Sequence, residues 1–161
     1  MAAVAQRALE TTLRALARRV IARYRPTVVG VTGSVGKTST AQACAVVLSA
    51  LDTVRVSQKN YNNELGAPLA VLGEWSGGRS PLRWAGIISR GVATAYGPRR
   101  RYPTRLVLEL AADKPGDLAY LVGFLGPRIG VVTAVAAAHL EAFGTVASVA
   151  VEKGRLVEAL P

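Results

Sequence analysis

The chain has 161 residues, half of them apolar, and this length and composition suit one folded domain with a buried core. No apolar run reaches the roughly 20 residues that a membrane-spanning helix needs. The single cysteine, Cys44, excludes an internal disulfide and a multi-thiol metal site, and the single histidine excludes a multi-histidine metal cluster.

The net charge of +10 is concentrated in two segments. Residues 1–25 contain six Arg and one Glu, and residues 74–105 contain seven Arg and one Glu, whereas the rest holds seven basic and eight acidic residues. A nucleic-acid enzyme more often spreads basic charge around its site, so we expect no nucleic-acid partner. The two segments are either solvated helix faces or a peripheral contact with an anionic membrane.

The first half of the chain predicts alternating helices and strands. Residues 1–25 form a basic amphipathic helix in which apolar residues recur at helical spacing and arginines line another face. The β-branched run at 27–32 is typical of a buried parallel strand, and a glycine-rich loop then leads into a helix at 38–51. A second strand is predicted at 53–58, and a short helix at 68–73.

Residues 74–104 interrupt this alternation as a basic helical insertion, and Ser80-Pro81 marks the start of its helix. Strands and helices then alternate again, at 105–111, 117–126, 128–135 and 145–160. The whole pattern predicts an α/β fold with a parallel sheet flanked by helices.

The stretch GVTGSVGKTST at 30–40 has the setting of a phosphate-binding loop, because it lies between a predicted strand and a predicted helix. Backbone N–H groups converge on an anion in such a loop, and the helix N-terminus adds partial positive charge. Lys37 would contact the β- and γ-phosphates, and Thr38 would ligate Mg²⁺. The predicted nucleotide-binding residues are Thr32, Gly33, Ser34, Val35, Gly36, Lys37, Thr38 and Ser39.

The glycine spacing departs from the common pattern G-x-x-x-x-G-K-[ST], because Val31 stands at the first glycine position and Gly30 precedes it. The resulting pattern, G-x-T-G-x-x-G-K-T-[ST], resembles the loop of the Mur ligases, which build the peptide stem of the bacterial cell wall. Folylpolyglutamate synthases have a similar loop. Three further stretches resemble the Mur ligases, in particular the branch that adds D-alanyl-D-alanine: KNYNNELGAPLAVLG, LVLELAADKPGDLAYL and VVTAVAAAHLEAFGTVASVAVEKGRL.

The resemblance implies roles for individual residues. Glu109 would hold the nucleotide-associated Mg²⁺ together with Thr38, and His139 would ligate a second Mg²⁺. Lys153 matches a lysine that several family members carbamylate, which converts a cation into a carboxylate that can approach the metal. Lys37, His139 and Lys153 are therefore the expected catalytic residues.

The asparagine-rich stretch implies contacts with the substrate, from Asn60, Asn62 and Asn63. Three positions depart from the family pattern, namely Lys59, Ala111 and Ala134. Lys59 and Ala111 replace glycines, and Ala134 replaces an asparagine, so whatever contact that asparagine makes is weakened here.

The family reaction is ATP-dependent: a substrate carboxylate attacks the γ-phosphate, and an amine then attacks the resulting acyl phosphate. The resemblance implies a cytoplasmic bacterial ligase that uses ATP and two Mg²⁺ to join D-Ala-D-Ala to UDP-MurNAc-tripeptide. Residues 26–161 would be an incomplete central ATPase domain of P-loop NTPase type, which binds ATP without turning over substrate alone. The alternatives are a folylpolyglutamate synthase-like ligase and a non-catalytic basic ATP-binding module docked on an anionic membrane.

Overall fold

The computed structural model describes residues 2–58 and 61–161. In these residues an all-parallel sheet has the strand order β2–β3–β1–β4, with β1 (Thr27–Thr32), β2 (Val54–Val56), β3 (Arg105–Glu109) and β4 (Ile129–Val132). The helices are α1 (Ala2–Tyr24), α2 (Lys37–Ser49), α3 (Gly66–Leu72), α4 (Pro81–Tyr96), α5 (Asp117–Leu125), α6 (Leu140–Phe143) and α7 (Val146–Glu158). The predicted α/β class is confirmed, while the short α6 was not predicted.

Side chains alternate across the two central strands and divide the core into two layers. One layer contains Val28, Leu106, Leu108 and Leu110 and packs against α1, α3, α5 and α7. The other layer contains Val29, Val31 and Val107 and packs against Ala41 and Ala45 of α2. The helix that follows the glycine-rich loop therefore covers one face of the sheet, and the remaining long helices lie on the opposite side.

Gly30, in the middle of β1, allows α7 to approach the sheet closely. A Cβ atom at this position would lie 2.9 Å from Leu156 Cδ1 and 3.1 Å from Leu110 Cδ1. Lys153 lies one helical turn before Leu156 and on the same face of α7. Because Gly30 has no side chain, α7 packs close to β1, and this close packing helps to bring Lys153 toward the carboxyl edge of the sheet.

The N-terminal helix is part of the hydrophobic core. Its residues Leu13, Ala17 and Val20 are fully buried, and α1 packs against α3, α4 and α5. The segment after α4 packs against the same core, because Tyr102 Oη donates to the carbonyl of Val71 (2.6 Å). Burial raises the pKa of Tyr102 to about 12. Among the described residues, no helix combines the length and the apolar character that crossing a bilayer requires.

We expect Leu13→Ala to lower the free energy of unfolding by about 3 kcal/mol, because it opens a cavity where a fully buried side chain contacts the core. Urea unfolding followed by circular dichroism measures this change. Val4→Ala is the matched control, since Val4 lies on the same helix with 73% of its surface exposed, and should change stability by less than about 0.5 kcal/mol. Equal effects of the two substitutions would contradict the packing of α1.

Candidate functional site

The glycine-rich loop connects the carboxyl end of β1 to the first residue of α2, Lys37. Gly36 precedes the helix with φ +81°, a left-handed conformation that favours glycine. The Lys37 ammonium lies against the loop and donates to the carbonyl of Gly33 (2.8 Å). A cationic side chain and the positive end of a helix therefore converge on the same loop.

The segment after β4 braces this loop. Gly33 has φ +146°, and a Cβ atom there would collide with the side chain of Thr133. Ser34 donates its backbone N–H to the carbonyl of Ala134 (2.8 Å), and its hydroxyl exchanges hydrogen bonds with the backbone of Ala136 (3.0 and 3.1 Å). Ala134, which replaces the family asparagine, thus still contributes a backbone contact to the loop.

The other predicted nucleotide-binding residues occupy different environments. Thr32 is fully buried, and its hydroxyl donates to the carbonyl of Leu110 (2.9 Å), so the side chain connects β1 to the end of β3 without lining the cleft. Val35 and Ser39 are exposed at the loop and on the first turn of α2. Thr38 points toward β3.

Glu109 is the last residue of β3, and only 6% of its surface is exposed. Its two carboxylate oxygens accept hydrogen bonds from Thr38 Oγ1 (2.7 Å) and Asn62 Nδ2 (3.1 Å). Its backbone N–H donates to Ser57 Oγ (2.8 Å), just after β2. The structure therefore joins the predicted metal residues Thr38 and Glu109, together with one of the predicted substrate residues.

The asparagine-rich stretch divides between two roles. Asn62 faces Glu109, and its backbone carbonyl accepts a hydrogen bond from Ala111 (2.9 Å). Asn63 is exposed, and its Oδ1 accepts the backbone N–H of Gly66 (2.9 Å) at the start of α3. Asn63 therefore supports the beginning of a helix, whereas the predicted substrate residue Asn60 lies outside the described residues.

A cleft of about 200 Å³ lies at the carboxyl edge of the sheet, where ligands of open α/β sheets bind. Its lining contains the predicted catalytic residues Lys37, His139 and Lys153, together with the predicted metal ligand Glu109. The remaining predicted metal ligand, Thr38, reaches the cleft only through its hydrogen bond to Glu109. The residues that line it include Gly33, Ser34, Lys37, Asn62, Glu109, Asp113, His139 and Lys153. The cleft therefore combines the glycine-rich loop with carboxylates, an imidazole and two lysines.

Lys153 is the most buried cation of the cleft, with 4% of its surface exposed. Burial lowers its pKa, the positive charge of Lys37 lowers it further, and Glu152, Asp113 and Asp117 oppose the shift. A depressed pKa increases the fraction of neutral amine, which is the form that reacts with electrophiles such as CO₂. This environment suits the chemistry that the resemblance implies for Lys153.

His139 is the residue before α6 and adopts a left-handed backbone conformation with φ +52°. About half of its side chain is exposed, with Nε2 3.7 Å from Asp113 Oδ1 and Nδ1 3.8 Å from Glu141 Oε1. These separations exceed hydrogen-bond distance, so the imidazole remains available at the mouth of the cleft.

Two acidic residues for which the sequence predicts no role, Glu152 and Asp117, fix the backbone around the cleft. Glu152 is 5% exposed and accepts hydrogen bonds from the backbone N–H groups of Gly116 (3.0 Å) and Leu118 (2.8 Å) at the start of α5. Asp117 accepts the backbone N–H groups of Asp113 and Lys114 (both 3.0 Å). Glu152 thereby anchors α7, which carries Lys153, to the turn that carries Asp113.

The donor atoms around Glu109 fit a magnesium ion. A carboxylate and a hydroxyl lie 2.7 Å apart beside the glycine-rich loop, and Mg²⁺ prefers such oxygen ligands completed by phosphate and water. The described residues contain no group of three or more His, Cys, Asp or Glu that could hold a metal ion. A site here would therefore need oxygen atoms from the nucleotide, and a second site near His139 would need a carboxylate on Lys153.

We expect Lys153→Met to raise the free energy of unfolding by about 1 kcal/mol at pH 7, because it removes a buried ammonium that folding disfavours. The folded-state pKa of Lys153 is lowered, so the unfolded chain binds the proton more tightly. The wild type therefore gains stability as pH rises from the folded-state pKa toward about 10.5, and the advantage of the variant shrinks.

Urea unfolding at pH 7 and at pH 9.5 tests this expectation. Lys114→Met is the control, because Lys114 is largely exposed and ion-paired with Asp117 and Glu64, which raise its pKa. That substitution should give no stabilisation at either pH. A destabilising Lys153→Met at pH 7 would show that the ammonium is well accommodated in the fold.

Comparisons with known proteins agree with this geometry. A family model for the Mur ligase middle domain matches residues 93–161. The UDP-N-acetylmuramoyl-tripeptide–D-alanyl-D-alanine ligase of Mycobacterium leprae is 36% identical over 134 residues, which are 83% of this chain and 21% of that protein. The ligase of the same name from Escherichia coli is 33% identical over 134 residues, which are 83% of this chain and 24% of that protein. The chain thus spans about a fifth to a quarter of the length of these relatives.

Solved structures show the same relationship. MurF ligase from Thermotoga maritima, solved in complex with ADP, matches with a TM-score of 0.72 and 31% identity over 94% of this chain and 30% of that chain. MurF from Acinetobacter baumannii has the same TM-score at 22% identity, over 94% of this chain and 28% of that chain, and it shows the shared fold. On these matches and the motifs assembled in the cleft, the chain belongs to the Mur ligase family.

Proposed function

We propose that this chain is the nucleotide-binding part of an ATP-dependent, ADP-forming ligase that joins D-alanyl-D-alanine to UDP-N-acetylmuramoyl-tripeptide. The observation that carries the proposal is the contact between Thr38 and Glu109 beside Lys37, at the carboxyl edge of a parallel sheet. The relatives are ligases named for these two substrates, which supports the proposed substrates. The ADP complex of the Thermotoga maritima ligase supports the proposed nucleotide.

The loop and the lysines perform the work of phosphoryl transfer, in which two anions must be brought together. The backbone N–H groups of residues 33–38 would bind the β-phosphate, and the Lys37 ammonium would leave the Gly33 carbonyl to contact the γ-phosphate. Neutralising this charge allows a substrate carboxylate to attack the γ-phosphorus, which breaks the bond to the β-phosphate, releases ADP and forms an acyl phosphate. The incoming amine then displaces phosphate and forms the amide bond.

The proposed metal ligands are Thr38 and Glu109 for a first Mg²⁺, and His139 with carbamylated Lys153 for a second. Bound Mg²⁺ would supply positive charge to the phosphate oxygens. Asn62 holds Glu109 in place through its side-chain amide, so it has a positioning role in addition to the proposed contact with substrate. Asn60 and Asn63 remain proposed substrate residues.

The domain assignment is part of the same proposal. Residues 26–161 would belong to the ATP-binding middle domain, and residues 74–104 would be an insertion whose helix is α4. The reaction would take place in the bacterial cytoplasm, where ATP and nucleotide-sugar precursors are available.

We expect Lys37→Met to weaken ATP binding by about 10- to 100-fold, because the variant loses a charged hydrogen bond to phosphate. Isothermal titration calorimetry with Mg²⁺ and ATP measures the affinity. Lys114→Met removes the same charge from an exposed side chain outside the loop and should leave the affinity unchanged. Equal affinities of wild type and the Lys37 variant would refute the proposed nucleotide site.

Ligase activity is tested on the polypeptide that the gene encodes, with ATP, UDP-N-acetylmuramoyl-tripeptide and D-alanyl-D-alanine. We expect ADP release that requires both substrates, and a loss of at least about 100-fold in Glu109→Gln, which keeps the shape of the side chain but removes its charge. A parallel assay with folate and glutamate addresses the related synthases. Turnover in that assay alone would reassign the ligase to the folylpolyglutamate class.

A further inference from the structure

The two basic segments of the sequence meet on the surface of the protein. Arg23 Nη2 donates to the carbonyl of Gly97 (2.6 Å), directly after α4, and Arg99 Nη2 donates to the carbonyl of Arg23 (3.1 Å). The backbone N–H of Arg100 donates to Tyr24 Oη (3.3 Å). The end of α1 and the loop after α4 therefore form one continuous surface, although they lie more than 70 residues apart in sequence.

This surface, here called the basic face, is formed by exposed arginines from both segments: Arg18, Arg19, Arg25, Arg99, Arg100 and Arg101. In the described part of the chain, none of these guanidinium groups has a carboxylate within 4.0 Å. Glu74, one of two acidic residues in the basic segments, is already paired with Arg90 (2.7 Å). The charge of the basic face is therefore left for an external anion to neutralise.

An apolar stripe on α4 adjoins the basic face. Leu82, Val92 and Tyr96 point away from the core with 85%, 44% and 64% of their surfaces exposed. The opposite side of the helix is buried through Ile87, Gly91 and Ala95. The guanidinium carbon of Arg19 lies 5.4 Å from the centre of the Tyr96 ring, so the stripe and the arginines are in direct contact.

The basic face lies away from the proposed nucleotide site. Arg25 lies two residues before β1, and Arg101 lies four residues before β3, so these residues lie at the amino ends of the strands. The phosphate loop and Glu109 follow the carboxyl ends of the same two strands. An anion held by the basic face is therefore a different ligand from the nucleotide.

We propose that the basic face and the apolar stripe of α4 dock this protein on the surface of an anionic lipid bilayer. The arginines match the negative potential of such a membrane, and Leu82, Val92 and Tyr96 match the boundary between head groups and acyl chains. A nucleic acid would pair with the arginines but would leave the apolar stripe in water. The combination of both features on one surface favours the bilayer.

A groove of about 670 Å³ between α1 and α5 extends the same surface. Arg14, Arg18, Tyr120 and Phe124 line it, and the Arg14 guanidinium lies 5.1 Å from the centre of the Tyr120 ring. Cationic groups above aromatic walls can hold a phosphate head group while the rings contact its glycerol or acyl portion. The groove thus adds a recess next to the basic face.

Co-sedimentation with vesicles tests the proposal, using phosphatidylcholine alone or mixed with phosphatidylglycerol, each at low and at high salt. We expect binding only to the mixed vesicles and its loss at high salt. Arg100→Gln with Arg101→Gln should weaken binding by about 30-fold. Leu82→Ser with Val92→Ser should weaken it by about tenfold, because the apolar contact is lost.

Two double variants serve as matched controls and should bind as the wild type does. Lys114→Gln with Arg155→Gln removes the same charge from exposed positions outside the basic face. Val46→Ser with Val47→Ser removes two valines, 73% and 70% exposed, from α2 on the opposite face of the sheet. Thermal unfolding by circular dichroism checks that every variant is folded.

Several results would overturn the proposal. The first is a lack of binding to the mixed vesicles at low salt. A second is equal weakening by the control pairs, which would indicate a nonspecific charge effect. A third is tighter binding to duplex DNA than to the vesicles, with no effect of the Leu82 and Val92 substitutions, which would identify a nucleic-acid surface instead.

Discussion

The buried carboxylate of Glu109 is the constraint on which the candidate site depends. A carboxylate without partners in the protein interior costs several kcal/mol, on the order of a substantial fraction of a domain's stability. Its partners come from separate segments: Thr38 at the start of α2, Asn62 before α3, and Ser57 after β2. Satisfying this one side chain therefore sets the position of the glycine-rich loop relative to the asparagine-rich stretch.

The cleft around this carboxylate is also electrostatically costly in the free protein. Lys37 and Lys153 repel each other, and burial further disfavours the charge on Lys153. A bound polyanion would relieve that repulsion, so the same arrangement that lowers stability favours phosphate binding. Glu152 reduces the cost by anchoring α7 to the start of α5 and by opposing the pKa shift of its neighbour. Stability is commonly traded for function at such sites.

The N-terminal helix connects the two ends of the molecule. Its apolar side, with Leu13 and Val20, is buried against α3, α4 and α5. Its outward side carries arginines of the basic face. The proposed nucleotide cleft lies at the carboxyl ends of the strands, and the basic face lies at their amino ends. The two surfaces share the core but no residues, so occupation of one leaves the other accessible.

The amino-acid sequence alone determined the alternation of strands and helices and predicted Lys37 and Thr38 as phosphate-loop residues, because periodicity and glycine spacing are local properties. Resemblance to a family added Glu109, His139 and Lys153. Only the tertiary structure showed that the Thr32 hydroxyl faces the core, that Glu152 anchors α7, and that the two basic segments meet. Such contacts join positions 34 to 78 residues apart, and no local pattern records which of many polar side chains will pair across that distance.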